Sequence, residues 1–188
     1  MLKRSVLLSI VALAWGGSVE HAAAHELPYE FDGTHVAISI ERFMGIEYTD
    51  VEGPGGSNTV ARVLLNANDN VPTSSARFGF DVFLRRLSIG LAAGLTSEDS
   101  AIIAPRVGYL FGLTPTLGLW LRGGGFYAAL PDPNPSYFGL TAEALFAWFP
   151  YPIFAVTFGP TLDVAFAEDD KPDFIAIGIP QVGVSAFF

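Results

Sequence analysis

The 188-residue chain contains no cysteine. That absence excludes disulfides, thiolate metal sites, a cysteine nucleophile and a lipid anchor carried on cysteine. Charge is also scarce: Asp, Glu, Lys and Arg make up 15% of residues, against about a quarter in ordinary soluble domains. Basic residues are the scarcest, with 10 Lys and Arg against 19 Asp and Glu and a net charge of -9. Such an acidic chain has no basic surface to offer nucleic acid. Histidine is nearly missing. Past residue 24 only His25 and His35 remain, and no local motif joins either to a serine or to a paired carboxylate. The expectation is therefore a protein that is not an enzyme and that uses no cofactor and no metal. Beyond the N-terminus no apolar run reaches the ~18 residues of a membrane-spanning helix.

What is abundant is apolar: 51% of residues are hydrophobic, with Gly 20 and Phe 16. Residues 1–24 carry the pattern of a signal peptide. Lys3 and Arg4 form a positive start, Ser5 to Trp15 an apolar stretch, and Ala22 and Ala24 the small residues of a cleavage site. Residues 25–34 are polar and read as a periplasmic lead-in.

From residue 35 onward, bulky apolar residues alternate with small or polar ones in stretches of about ten. This period of two belongs to a sheet with two unlike faces. In Ile153 to Phe166, Phe154, Val156, Phe158, Pro160, Leu162, Val164 and Phe166 share one face. Ala155, Thr157, Gly159, Thr161, Asp163 and Ala165 share the other. Such a stretch exceeds an average soluble strand and fits a tilted membrane crossing of ~9–11 residues with its extensions. Eight strands are predicted at 35–48, 76–84, 87–96, 102–113, 117–130, 137–148, 153–166 and 174–188. The fold class is all-β: an eight-stranded antiparallel up-and-down transmembrane β-barrel over 35–188, with bulky residues on lipid and small or polar ones in the lumen.

Connection lengths orient it. Tight joints fall at Arg85-Arg86, at Thr114 to Thr116 and at Phe149 to Pro152, where the cluster Trp148, Phe149, Tyr151 suggests an interfacial aromatic girdle. Longer, more polar joints alternate with them and belong outside the cell. Segment 59–67 is a possible ninth strand. An even count places it instead as a β-extension within a long outer loop, 49–75. Two strands break alternation. In the first, strict alternation would put Arg42 in lipid, at a cost of ~2–4 kcal/mol at the midplane, which either a bulge near Glu41-Arg42 or a place for Arg42 near an interface would relieve. In the last, Ile175, Ile177 and Ile179 fall out of phase with Val182, Val184, Ala186 and Phe188, which predicts a bulge at Pro180.

These features together resemble the small outer-membrane β-barrel proteins, the OmpA/OmpX-like group in the broad sense. The resemblance covers the chain from about residue 35. It rests on the signal peptide, the alternating segments and the final strand ending Val182-Gly-Val-Ser-Ala-Phe-Phe188. It implies an outer-membrane location, with membrane lipid and lipopolysaccharide as surroundings. It also implies that Val182, Val184, Ala186 and Phe188 are read by the barrel-assembly machinery.

The expected lumen holds Glu41, Glu47, Asp81, Glu143 and Asp163 with Arg77, Arg106 and Arg122. Charges in so narrow a space must be paired. The expectation is a structural network of Arg106, Arg122 and Glu143, with Asp163 or Glu41 as further partners. Gly123-Gly124-Gly125 marks a bend or a close approach. Glu98-Asp99 and the loop Ala167 to Asp173 make an acidic outer rim, read as solvated loops that keep strand ends in water. The expected function is structural or surface-interactive, in a monomer that contributes to membrane integrity or contacts partners through its outer loops. The alternative is a small pore or transporter. Further alternatives are a lipid-modifying outer-membrane enzyme and a soluble lipocalin-like binder.

Overall fold

The computed structural model describes residues 31, 33–53, 56–65, 76–95, 101–129, 136–167 and 174–188. The expected signal peptide with Ala22 and Ala24, and the acidic residues Glu98, Asp99 and 168–173, lie outside the described residues. Nine strands form among those described: β1 (Thr34–Gly53), β2 (Gly56–Leu65), β3 (Arg77–Leu84), β4 (Leu87–Leu95), β5 (Ala101–Thr114), β6 (Leu117–Ala129), β7 (Tyr137–Tyr151), β8 (Phe154–Ala167) and β9 (Phe174–Phe187).

Every pairing is antiparallel. β1 and β3 to β9 follow one another in chain order, and β9 returns to pair with β1. The result is a closed eight-stranded barrel. Its seam is fixed at the very end of the chain, where Val36 and Phe188 exchange two backbone hydrogen bonds of 3.0 and 2.9 Å. Closure removes the unpaired strand edge, which lipid could not solvate. Two-residue turns at Arg85-Arg86, Pro115-Thr116 and Pro152-Ile153 lie at the same end as Phe188.

β2 stands apart from the eight. It pairs with the far half of β1, from Met44↔Leu65 to Gly53↔Gly56, while β3 pairs with the near half, from Thr34↔Leu84 to Glu41↔Arg77. β2 and β3 thus run along the same side of β1, separated by residues 66–76. The segment expected as a β-extension is one, with bounds 56–65 rather than 59–67. β1 runs on to Gly53, well past the expected end at 48, because this partner continues its ladder. β7 likewise continues three residues past 148 to Tyr151.

The two faces differ as the period of two requires. On β8 the outward row of Phe154, Val156, Phe158, Pro160, Leu162, Val164 and Phe166 is partly or well exposed, and the intervening residues are buried. Leu, Ile and Val dominate the middle of the outer surface, including Ile89, Leu91, Val107 and Leu140. Aromatic residues stand toward both rims, with Trp148, Tyr151 and Phe188 at the tight-turn end and Tyr48, Tyr127, Phe138 and Phe166 toward the other, while Phe78 and Phe80 lie among the aliphatic residues between. Cross-strand ring pairs Phe138–Phe166 and Phe146–Phe158 stack at 5.6 Å on this outer face. So large an exposed apolar surface is unstable in water and matches hydrocarbon. One part of the expected girdle is corrected: Phe149 points inward and is buried, because it alternates with outward Trp148, and a register shift between Trp148 and Tyr151 turns Tyr151 outward again.

Candidate functional site

The interior is packed in three layers. At the tight-turn end, Phe83, Leu110, Trp120, Phe149 and Phe187 form an apolar plug with Ala37, Ala147 and Ala155. Phe31, from the stretch expected to be only a polar lead-in, completes it. Its ring meets His35 at 5.7 Å, Phe83 at 5.3 Å and Phe187 at 5.7 Å. At the long-loop end, Ala92, Ile102, Ala104, Phe126, Ala128, Ala165 and Ala176 form a second apolar layer.

Between them lies a charged layer. Seven of the eight expected luminal residues, Glu41, Arg77, Asp81, Arg106, Arg122, Glu143 and Asp163, are buried there, and the other, Glu47, is buried too and accepts from Thr49 Oγ1 at 3.2 Å. Another residue joins the seven. Arg42 is 2% exposed and points into the lumen beside Glu41. Consecutive strand residues face opposite ways, so both can be inside only if the strand is irregular. It is: the ladders skip Arg42 and Phe43 on both sides of β1, and Arg42 has φ 54°. A left-handed non-glycine residue costs ~1–2 kcal/mol. Here it replaces the larger cost of an arginine in lipid and supplies a cation to two carboxylates. The bulge was legible from the Glu41-Arg42 pair itself; the partners of Arg42 were not.

The contacts run as a chain. Arg106 donates to Asp81 through Nε at 3.0 Å and Nη2 at 2.5 Å, and to Glu41 through Nη1 at 2.5 Å and Nη2 at 2.8 Å. Arg122 Nη1 donates to Glu41 Oε1 at 2.7 Å. Its Nη2 lies 2.5 Å from Glu143 Oε2, an ion pair without hydrogen-bond alignment. Arg42 reaches Glu143 at 2.7 Å, Asp163 at 2.5 Å and Thr141 Oγ1 at 3.1 Å. Arg77 stands 3.8 Å from Asp163. Arg106 thus bonds Glu41, one of the further partners expected for the network, and Asp81, while Glu143 is held by Arg122 and Arg42. Within these pairs four arginines face four carboxylates, so the paired charges balance, which is the condition for burying charge at tolerable cost; Glu47 is a fifth buried carboxylate.

Small residues make the space. A Cβ added at Gly79 would meet Ser39 Oγ and also Arg106 Nη2 at 2.5 Å; one added at Gly90 would collide with the Asp81 carboxylate. Within the expected glycine run only Gly124 is in such close approach, against the Pro105 backbone, while Gly123 and Gly125 meet nothing nearer than 3.5 Å. Ser39 Oγ donates to Glu41 Oε1 at 2.6 Å. Arg122 also ties the charged layer to the plug: its guanidinium carbon lies 4.3 Å from the centre of the Trp120 ring. Trp120 Nε1 in turn donates to Ser88 Oγ at 3.1 Å. Two cavities flank the network, one lined by Arg77, Arg106 and Thr141 and one by Arg42, Thr157 and Gln181. Each is about 10 Å³, room for about one water.

The closing strand also has its irregularity. Gly159↔Gln181 is followed by Thr161↔Gly178, so β9 carries one residue more than β8 there. The surplus falls at Ile179-Pro180, both of which are exposed. Gln181, Gly183 and Ser185 are buried and Val182, Val184, Ala186 and Phe188 lie on the outer face. Pro160 sits opposite, so two residues without an N–H meet where the ladder is interrupted.

No protein-family model matches the chain, and no curated protein matches it by sequence. Solved structures do match in shape. The N-terminal β-barrel domain of Pseudomonas aeruginosa OprF superposes with a TM-score of 0.51 at 14% identity, over 82% of this chain and 97% of that one. Neisserial surface protein A gives 0.51 at 13%, over 82% and 96%. The fold is that of the small outer-membrane β-barrels. At such identities the likeness concerns architecture alone. For an outer-membrane-type barrel, the tight-turn end is the periplasmic end and the long-loop end the outer one.

Proposed function

We propose that the protein is exported by residues 1–24 and resides in the outer membrane as a closed barrel. Its role there is structural or surface-interactive: membrane integrity, or contact through the outer loops. The observation that carries this reading is the solid interior. A layer of paired charges lies between two apolar layers, and the two cavities described beside it are each about 10 Å³. An eight-stranded barrel leaves just enough width for side chains to fill, and here they fill it. That packing favours a role played by the outer surfaces over a pore, and the reading is non-catalytic. Lipid and lipopolysaccharide are the proposed surroundings, and the barrel-assembly machinery the proposed recogniser of Val182, Val184, Ala186 and Phe188.

Two measurements test it. Fractionated cells should hold the protein in the outer membrane as a band whose gel mobility changes on boiling. Purified protein in planar bilayers should give no sustained single-channel current. A soluble, heat-insensitive protein would overturn the membrane placement. Regular conductance steps would replace the structural role with a pore.

A further inference from the structure

Each luminal arginine faces a carboxylate, but two arginines do not. Arg85 and Arg86 form the two-residue turn between β3 and β4, and neither has an ion-pair partner among the described residues. Arg85 is exposed and Arg86 half-buried. The turn is flanked by Leu84 and Leu87, 50% and 44% exposed on the outer face. Outward Tyr109, on the neighbouring strand, is the register partner of Leu87. The other two tight turns, Pro115-Thr116 and Pro152-Ile153, carry no charge. The only two cations at the tight turns therefore sit together, at one point on the rim of the apolar band.

The backbone there is held rather than loose. Arg85 N–H donates to Gly33 O at 2.9 Å, and Arg86 O accepts from Leu110 N–H at 2.9 Å. Arg85 also occupies the left-handed region, with φ 59°. Two-residue hairpin turns favour Asn-Gly or Asp-Gly at such positions because those residues adopt positive φ at little cost. An arginine there is strained, and packing gives no return for it, since the side chain is exposed. Its charge is what distinguishes it from the residues the turn prefers.

We infer that the Arg85-Arg86 turn is a binding site for the phosphate of an anionic glycerophospholipid in the periplasmic leaflet. Leu84, Leu87 and Tyr109 lie on the same outer wall, where the acyl chains and glycerol region run, and the two guanidiniums supply cations at headgroup level. Guanidinium groups suit phosphate oxygens by both charge and geometry. The inference rests on the membrane reading above and adds a lipid class and a location.

The test compares wild type with an Arg85→Asn, Arg86→Gln variant. Asparagine tolerates positive φ, so the variant should fold in zwitterionic lipid at least as well as wild type. Both proteins are reconstituted into vesicles of equal phosphatidylglycerol and phosphatidylcholine, extracted gently, and their retained lipids weighed by native mass spectrometry. Wild type should retain phosphatidylglycerol in roughly tenfold preference, as expected for two basic residues at an anionic surface, and the variant close to none. Wild type that inserts and shifts on boiling, yet retains both lipids equally, overturns this inference alone. So does a variant that keeps the wild-type preference. A wild-type chain that never becomes heat-modifiable in vesicles overturns the membrane reading, and this inference with it.

Discussion

Arg42 shows how much a single side chain can carry. It is the cation shared by Glu143 and Asp163 on β7 and β8, and it reaches them only because β1 kinks into the left-handed region at that residue. Replacing it with methionine leaves two buried carboxylates short of their partner. The expected cost is about 3–5 kcal/mol, read as a lower urea midpoint in lipid vesicles. An Asp163→Asn change on the same background should restore part of the loss, because it removes one orphaned charge. An unchanged midpoint for Arg42→Met would mean the network contributes nothing. Glycines give a second contrast at this scale. Gly90→Ala puts a methyl into the Asp81 carboxylate that holds Arg106, whereas the nearest atom to a methyl at Gly123 is 3.6 Å away. Thermal unfolding should separate them, with Gly90→Ala clearly the less stable. Equal melting would show that the lumen yields easily at Gly90.

Among the elements, β9 is the most informative. Its surplus residue lies at Ile179-Pro180, and on either side the buried and exposed rows are regular. Deleting Pro180 should therefore leave every side chain on its present face and restore a simple ladder. Deleting Gly183 instead would turn Val184, Ala186 and Phe188 inward and put Ser185 and Phe187 against lipid. The first deletion should still give a heat-modifiable folded band and the second should not. If both fold, the register of β9 is not set by its two faces. β1 makes the complementary point. Its bulge coincides with the gap where β3 stops pairing and β2 begins, so the strand bends where no ladder opposes it.

For the whole molecule the decisive feature is the seam between the first and last strands. Phe187 on β9 packs against Phe83 on β3, across β1, and Phe31 rests on both rings. The residues that meet there span nearly the whole chain, so the plug can form only when the barrel has closed. Phe31→Ala should remove roughly 3 kcal/mol of packing and lower the temperature at which the folded band converts on a gel. A conversion temperature equal to wild type would show that Phe31 is a bystander. Closure also explains why the charges tolerate burial: Arg42 on β1 finds Asp163 on β8 and Glu143 on β7, partners that only the pairing of β9 with β1 brings near.

Much of this was legible in the residues themselves. A period of two fixes which side chains share a face, whatever the sheet does next, so Asp81, Arg106, Arg122 and Glu143 could be assigned inward without coordinates. The same rule made Arg42 and Pro180 conspicuous, since each breaks the period and a bulge repairs it. Turn spacing set the strand number and alternation, and the even count favoured a loop extension over a ninth wall strand for residues 59–67. What periodicity cannot reach is distance across the barrel. It says nothing of height and azimuth within the lumen, so it leaves open which carboxylates each arginine of the network meets, and it does not single out Asp81 as a partner of Arg106. Nor could it foresee that Phe31, in a stretch without alternation, would cap the plug, or that β2 would run on beyond β3 along β1. Those outcomes depend on strand stagger and on the curvature that closes the sheet. Both are set by all eight strands together, and no local stretch of sequence contains them.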